Sequence, residues 1–347
     1  MAQRLLQGWT LYIALAALVA ALHAWALFHL PSPVPAPDAA PESGFAFELL
    51  RQGERSAKLA ELMQRAPGAT LLAGLSFLCF AALMIGGFAL TALTLWRGRL
   101  RGLLRVEPRL PSRWRLVDVG RVLALALAML GLLPFARMGL AGLAPSLRID
   151  TDLWSVIGMG VLDLFVVTAV LALAPARPPH RAFGLSLRAW PDSLAVGLRG
   201  YVGVFPWLIV TLIASSIAAK AAGYEAPILP IQRLLFGQQE VSVLLLTGIL
   251  VCLIGPVAEE FLFRGVFYSS LSRHLPMWGA MIASGALFAL AHGNNLVGLI
   301  PITLLGCLLA YVYERTGSLA GPILIHMLHN TFLLSETLVL RQLFALS

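Results

Sequence analysis

Long apolar runs separated by short polar stretches recur along the whole chain. A transmembrane helix needs about 20 apolar residues to cross the hydrocarbon layer of a bilayer. By this measure the pattern predicts helical spans over residues 9–29, 70–96, 119–142, 153–174, 194–218, 241–257, 276–292, 296–314 and 320–340. The expected fold class is all-α, a polytopic transmembrane helical bundle of eight or nine helices. The count stays open because the sixth run passes through Gly255 and Pro256 into a charged stretch, where the helix either breaks or continues to about Leu271.

Composition supports a membrane protein and excludes several other classes. Hydrophobic residues make up 59% of the chain and charged residues only 12%, whereas ordinary soluble domains carry about 25% charged residues. The three cysteines lie inside apolar runs and have no spacing typical of disulfides or zinc sites. These values exclude a soluble globular domain, a disordered chain and a disulfide-rich scaffold.

The positive charge is concentrated in two loops. The formal net charge of +8 comes mainly from arginine, with eight arginines in 97–121 and three more in 175–193. Because loops rich in Lys and Arg stay on the cytoplasmic side, both loops and the N-terminus are predicted to be cytoplasmic. We interpret these arginines as topology signals that contact the lipid bilayer, with no nucleic acid as a partner.

Polarity divides the chain into three predicted regions. Residues 1–150 form an N-terminal membrane region that includes an exterior Pro-rich segment over 30–68 and the arginine-rich loop 97–121. The first span is interpreted as a signal-anchor helix, because its apolar stretch exceeds the roughly 7–15 residues of a cleaved signal peptide. Residues 151–194 supply a connecting span and a cytoplasmic loop, and 195–340 form a helical core that contains the candidate chemistry.

Ionisable residues cluster within the apolar runs of this core. Such groups cost about 2.5–3.5 kcal/mol each at the centre of a transmembrane helix, so a cluster of them is expected to face a protein-lined or watered cavity. The cluster consists of four patterns: Glu259-Glu260-x-x-x-Arg264, Phe288-x-x-x-His292, Tyr313-Glu-Arg-Thr-Gly-Ser318 and His326-x-x-His329-Asn330.

The spacing of the first pattern separates the two glutamates. Glu260 and Arg264 are four residues apart on one helix face, in the order that favours an ion pair. Glu259 points about 100° away around the helix, so it is less compensated and is the candidate general base. The alternative is that both glutamates form one buried charge network with Arg264 that only holds the bundle together.

The histidines and the asparagine allow two interpretations each. His326 and Asn330 share a helix face and supply two hydrogen-bond donors, as a developing oxyanion requires. The alternative for both is interhelical hydrogen bonding, which is common in membranes. His292 ends an apolar run before a turn, where a purely structural histidine is also expected. His329 either shares part of the His326 face or faces another helix.

The sequence predicts neither a metal nor a cofactor. Glu259, Glu260, His292 and His326 have suitable zinc-binding groups, but their spacing matches no zinc signature. A Gly-x-Ser-x-Gly elbow, a cysteine nucleophile and a phosphate-binding loop are also missing from the sequence. Asp163 stands alone in the fourth span, and the sequence gives it no partner.

The motifs resemble those of the CAAX protease and bacteriocin-processing family, also called the Abi or type II CAAX prenyl endopeptidase family. That family's Glu-Glu-x-x-x-Arg, Phe-x-x-x-His and His-x-x-x-Asn motifs are matched by Glu259, Glu260 and Arg264, by Phe288 and His292, and by His326 and Asn330. The resemblance covers about 195–340 and leaves the first 150 residues unexplained.

The resemblance implies an all-helical intramembrane endopeptidase that depends on glutamate. In that family's terms, Glu259 activates the attacking water with help from His292, and Glu260 with Arg264 orients the site. His326 and Asn330 then stabilise the oxyanion. If successive spans simply cross the membrane in alternating directions, His292 lies near the opposite membrane face from Glu259. The two residues can then meet only if the helix around 255–256 is long or broken, or if one span is short.

The implied substrate is a membrane-embedded or membrane-associated peptide or protein, such as a bacteriocin-like precursor or a regulatory protein. Eukaryotic relatives trim prenylated proteins, but this arginine-rich, lysine-poor chain is typical of a bacterial cytoplasmic (inner) membrane protein. Competing hypotheses are a non-enzymatic immunity or scaffold protein, a zinc-dependent membrane protease, and a transporter with a proton-relay carboxylate.

Overall fold

The structure is a computed structural model that describes most of the membrane-spanning part of the chain. The described residues are 9–29, 67–98, 102, 114–143, 151–174, 182–185, 190–227, 230–237, 240–293 and 296–345. The predicted exterior segment 30–68, apart from its last two residues, lies outside this set. So do most of the arginines of the two predicted cytoplasmic loops.

Ten helices and no strand occur among the described residues. They are α1 (Trp9–His29), α2 (Pro67–Trp96), α3 (Leu116–Leu143), α4 (Thr151–Leu173), α5 (Trp190–Ala221), α6 (Pro230–Gly237), α7 (Val241–Leu271), α8 (Met277–Ala291), α9 (Leu296–Thr316) and α10 (Ala320–Ala345). Six of them are long and apolar enough to cross a membrane. The predicted all-α polytopic bundle is confirmed, and the short α6 is an addition that the sequence analysis did not predict.

The sixth apolar run continues as one helix to Leu271. α7 contains two π-helical segments, Leu250–Ile254 and Phe261–Tyr268, on either side of a short α-helical segment. Pro256 falls in the first turn of that α-helical segment, where a missing N–H is tolerated. The wider π turn thus lets the helix pass through proline without ending.

The length of α7 brings Glu259 and His292 to the same depth. A short turn over 272–276 joins the end of α7 to the start of α8. At 1.5 Å per residue, Glu259 lies about 18 Å back along α7 from Leu271, and His292 lies about 22 Å along α8 from Met277. The long helix and the short α8 therefore account for the convergence that a simple zigzag of spans does not give.

α8 and α9 pack closely because two glycines face each other. A Cβ atom on Gly306 would lie 2.6 Å from the Cα of Gly285, which no side chain can tolerate. This approach places the backbone of α9 directly beside the polar centre of α7. Removing either glycine would push the two helices apart.

Aromatic packing joins one described residue from each of the two predicted arginine-rich loops. Trp114, at the end of the first loop, lies with its ring centre 6.3 Å from that of Phe183 in the second. Phe183 also packs against Phe261 of α7, with ring centres 4.8 Å apart. Trp114 lies close to the turn between α7 and α8, because Nη1 of Arg273 donates to its carbonyl oxygen over 3.4 Å.

Candidate active site

Glu260 and Arg264 form a fully buried ion pair on α7. Nη1 of Arg264 donates to Oε1 of Glu260 over 2.6 Å, and neither side chain has exposed surface. Nη2 of Arg264 donates to the Gly306 carbonyl over 3.1 Å, and the guanidinium lies 4.5 Å from the ring centre of Phe288. The pair expected from the four-residue spacing is present, and it ties α7 to α8 and α9.

Glu259 points away from this ion pair and towards two imidazole rings. Its Oε2 atom lies 3.8 Å from Nε2 of His292 and 3.6 Å from Nε2 of His326. The Glu259 side chain is 32% exposed, whereas that of Glu260 is fully buried. Oε2 itself is shielded and makes no hydrogen bond with the described residues. Glu259 is thus the accessible and less compensated carboxylate of the two.

The hydrogen bond of His292 determines which ring nitrogen is free. Nδ1 of His292 lies 2.8 Å from the Phe288 carbonyl oxygen, and because a carbonyl only accepts, Nδ1 must donate. In the neutral ring Nε2 then carries the lone pair, and this atom faces Glu259. Two acceptors that face each other in this way can both be satisfied by a water molecule that donates to each of them.

His326 links the two glutamates. Its Nδ1 lies 2.9 Å from Oε1 of Glu260, the oxygen that also accepts from Arg264. Because Oε1 belongs to the carboxylate that pairs with Arg264 and acts there as an acceptor, Nδ1 of His326 is the donor. Nε2 is left facing Glu259. The sequence spacing did not reveal this bridge, because it joins α7 to α10 across 66 residues.

His329 faces a different helix from His326. Its Nδ1 makes a 3.0 Å hydrogen bond with the hydroxyl group of Tyr201 on α5. Tyr201 is almost completely buried. Of the two placements open at the level of sequence, His329 adopts the second, and it joins α10 to α5 rather than to the glutamates.

Asn330 binds the irregular part of α7. The N–H of Gly255 bonds to the Leu250 carbonyl in the π-helical pattern, and Pro256 has no N–H to offer. The Val251 carbonyl therefore lacks a helical donor, and Nδ2 of Asn330 donates to it over 2.9 Å. The structure thus shows the interhelical contact considered above for Asn330. One amide hydrogen is engaged in this way, and the other remains for a further acceptor.

The Asn330 contact leads to a double-mutant prediction. Asn330→Ala leaves the Val251 carbonyl unsatisfied and is expected to lower the free energy of unfolding by about 1–3 kcal/mol. In a Pro256→Ala background the restored N–H can bond to that carbonyl, so the same substitution should cost less. Unfolding of the four proteins in detergent measures the difference. Equal costs in both backgrounds would show that Asn330 does not compensate for the proline.

Phe288 is a part of the site that the sequence analysis placed in a motif without giving it a role. Its ring contacts the imidazoles of His292 and His326 edge to face, with ring centres 4.4 and 5.5 Å away. The Arg264 guanidinium lies over the face of the same ring. The signal for this was its four-residue spacing from His292, which places both rings on one face of α8.

We also searched the described part of the chain for a possible metal site. It contains no group of three or more His, Cys, Asp and Glu side chains in the arrangement of a metal site. The four potential zinc ligands of the sequence analysis instead pair with one another and with Arg264. This arrangement places one carboxylate and two imidazoles around one small polar space.

Comparison with known proteins gives several matches. A family model described as "Type II CAAX prenyl endopeptidase Rce1-like" matches residues 241–332. An uncharacterized 24.3 kDa protein of Escherichia coli is 32% identical over 152 residues, which is 41% of this chain and 69% of that protein. The putative membrane peptidase YdiL of Bacillus subtilis is 28% identical over 181 residues, which is 52% of this chain and 69% of that protein.

A shorter match involves a third bacterial protein. The membrane-embedded CAAX protease MroQ of Staphylococcus aureus is 37% identical over 89 residues, or 24% of this chain and 35% of that protein. No solved structure matches. The family match falls within the predicted core 195–340 and includes both glutamates, Arg264, His292, His326 and Asn330.

Proposed function

Since the chain belongs to the Rce1-like family of type II CAAX prenyl endopeptidases, we propose that this membrane protease hydrolyses peptide bonds with a water activated by Glu259. The substrate is a membrane-embedded or membrane-associated peptide or protein. The observation that carries the proposal is the position of Glu259 Oε2 within 3.8 Å of the free Nε2 atoms of His292 and His326.

The first step is the activation of water. A water molecule beside Glu259 Oε2 donates one hydrogen bond to this atom and the other to Nε2 of His292. Glu259 takes a proton as the water oxygen attacks the carbonyl carbon of the substrate. His292 keeps its orientation through the 2.8 Å bond to the Phe288 carbonyl, so the water is aligned before the substrate binds.

The second part of the mechanism stabilises the negative charge on the former carbonyl oxygen. We assign this role to Nε2 of His326 and to the amide hydrogen of Asn330 that Val251 does not use. When the ring of His326 carries both protons, Nε2 donates to the oxyanion while Nδ1 donates to the Glu260 carboxylate. Glu260 and Arg264 therefore act by orienting His326.

The reaction ends with cleavage of the carbon–nitrogen bond. Glu259 returns its proton to the departing amine nitrogen, and the tetrahedral intermediate collapses to a carboxylic acid. Glu259 is then a carboxylate again and can activate the next water. Each cycle consumes one water and leaves the enzyme unchanged, so no cofactor is required by this proposal.

We place the protein in the bacterial cytoplasmic (inner) membrane with its N-terminus in the cytoplasm. Support comes from the packing of Trp114 on Phe183, which brings together one described residue of each predicted arginine-rich loop, in line with the preference of arginine for cytoplasmic loops. Glu259 lies about 18 Å along α7 from its end at Leu271. This depth suits a scissile bond inside or next to the membrane.

A cleavage assay with chelators tests the proposed function. Purified protein is incubated with a library of transmembrane and juxtamembrane peptides, and the products are identified by mass spectrometry. Wild-type protein is expected to cleave a subset of the library at equal rates with and without EDTA or 1,10-phenanthroline. Loss of cleavage in chelator and recovery with zinc would establish the zinc-dependent alternative. Failure to cleave any peptide would favour the immunity or scaffold protein.

A further inference from the structure

Asp163 on α4 lies next to the candidate general base. A Cβ atom on Gly255 would lie 3.7 Å from Oδ2 of Asp163 and 4.0 Å from Oε1 of Glu259. The two carboxylates therefore approach the same point from neighbouring helices, and the missing side chain of Gly255 leaves room for both. α4 lies outside the segment that matches the family model.

The approach of α4 to α7 at this level depends on small residues. A Cβ atom on Gly160 would lie 2.8 Å from a methyl carbon of Leu250, so α4 packs directly against α7 here and a larger residue would displace the Leu250 side chain. A Cβ atom on Gly255 would also lie only 3.1 Å from the Leu250 carbonyl oxygen. The Gly160 contact joins α4 to α7 about one turn from Asp163, whereas Leu250 and Gly255 both belong to α7.

Asp163 has no cation to neutralise it among the described residues. Its half-buried side chain makes no hydrogen bond or ion pair there, and Arg264, the buried cation of α7, is paired with Glu260. An isolated charged carboxylate in the middle of a membrane helix is costly. When two carboxylates approach one point in such surroundings, sharing one proton, directly or through a water, lowers that cost.

The two oxygens of Glu259 face different neighbours. Oε2 faces the imidazoles of His292 and His326, while Oε1 faces Gly255 and Asp163. We propose that Asp163 is a positioning residue that holds a proton and donates it to Oε1 of Glu259, directly or through one water. This hydrogen bond fixes the carboxylate plane, so that Oε2 is kept at the two histidines as the acceptor of the proton from water.

The inference rests on the proposed function and is tested on a peptide that the wild-type protein cleaves. Asp163→Leu removes the donor at similar volume and is expected to lower kcat about 10- to 100-fold with little change in KM. Asp163→Asn retains an N–H donor and should stay within a few-fold of wild type. Asp152→Asn, near the start of the same helix, is the matched control and should leave both constants unchanged.

Three other kinetic outcomes would each overturn the proposed role of Asp163. Equal loss in Asp163→Asn and Asp163→Leu would mean that the negative charge matters and the proton does not, which overturns the inference. Wild-type kinetics in Asp163→Leu would show that the residue has no part in the reaction. A rise in KM with unchanged kcat would assign Asp163 to substrate binding and would also overturn it.

Infrared spectroscopy tests the shared proton without any substrate. The C=O stretching band of a protonated carboxylic acid should be present in wild-type protein in detergent and should disappear in Asp163→Asn, while circular dichroism shows that the fold is kept. A difference spectrum with only carboxylate bands contradicts the role of Asp163. A protein that has the band but cleaves no peptide contradicts the proposed function instead, so the two failures are distinguishable.

Discussion

Replacing Glu259 by glutamine is expected to abolish peptide cleavage while the protein stays folded. The amide keeps the size and shape of the side chain but cannot take a proton from water, and loss of a general base typically lowers the rate 10²- to 10⁴-fold. The side chain is partly exposed and makes no buried ion pair with Arg264, so stability should change little. Cleavage of the reporter peptide and the melting temperature in detergent measure the two effects.

Glu336→Gln is the matched control for this experiment. Glu336 lies on α10, the helix that carries His326, but outside the group of residues around Glu259. Its substitution should leave the cleavage rate unchanged. Near wild-type cleavage by the Glu259→Gln protein would exclude Glu259 as the general base, and a loss of activity accompanied by unfolding would show a structural role.

Breaking the Glu260–Arg264 pair is expected to be the most destabilising single change in the core. Arg264→Met leaves the Glu260 carboxylate buried with His326 as its one remaining partner in the described part of the chain, and removing one member of a buried pair typically costs about 3–5 kcal/mol. Loss of the 3.1 Å bond to the Gly306 carbonyl also weakens the contact of α7 with α9. Unfolding in mixed detergent micelles gives the free-energy change.

The double variant separates charge pairing from packing. Replacing both partners by apolar residues, as Glu260→Leu with Arg264→Met, removes the uncompensated charge and should recover part of the lost stability. Arg199→Met, at an exposed position of α5, is a control that should change stability by less than about 0.5 kcal/mol. A double variant less stable than either single one would mean that each residue stabilises the fold independently.

The helices could be predicted because a membrane imposes a simple length rule on apolar runs. The spans expected over 296–314 and 320–340 correspond to Leu296–Thr316 and Ala320–Ala345 in the structure. The resemblance to the type II CAAX endopeptidases, seen in three short motifs, is confirmed by the family match over 241–332. Local helical geometry also gave the Glu260–Arg264 pair and the divergence of Glu259.

Contacts between distant helices could not be predicted from spacing. The bond of His326 to Glu260 and that of Asn330 to the Val251 carbonyl each join residues more than 60 positions apart. The second of these depends on a π-helical turn before Pro256, whose register no periodicity reveals. The position of Asp163 was hidden for the same reason, because a lone acid in an apolar run gives no information on what the neighbouring helix presents.

The shortness of α8 has a consequence for the surrounding lipid. Its 15 residues span about 22 Å at 1.5 Å per residue, whereas the hydrocarbon layer is about 30 Å thick. A short span is accommodated by local thinning of the bilayer. The leaflet around the 34%-exposed side chain of His292 is therefore expected to bend inward. Water from the headgroup layer then reaches Glu259 from the His292 end of α8, without a continuous pore.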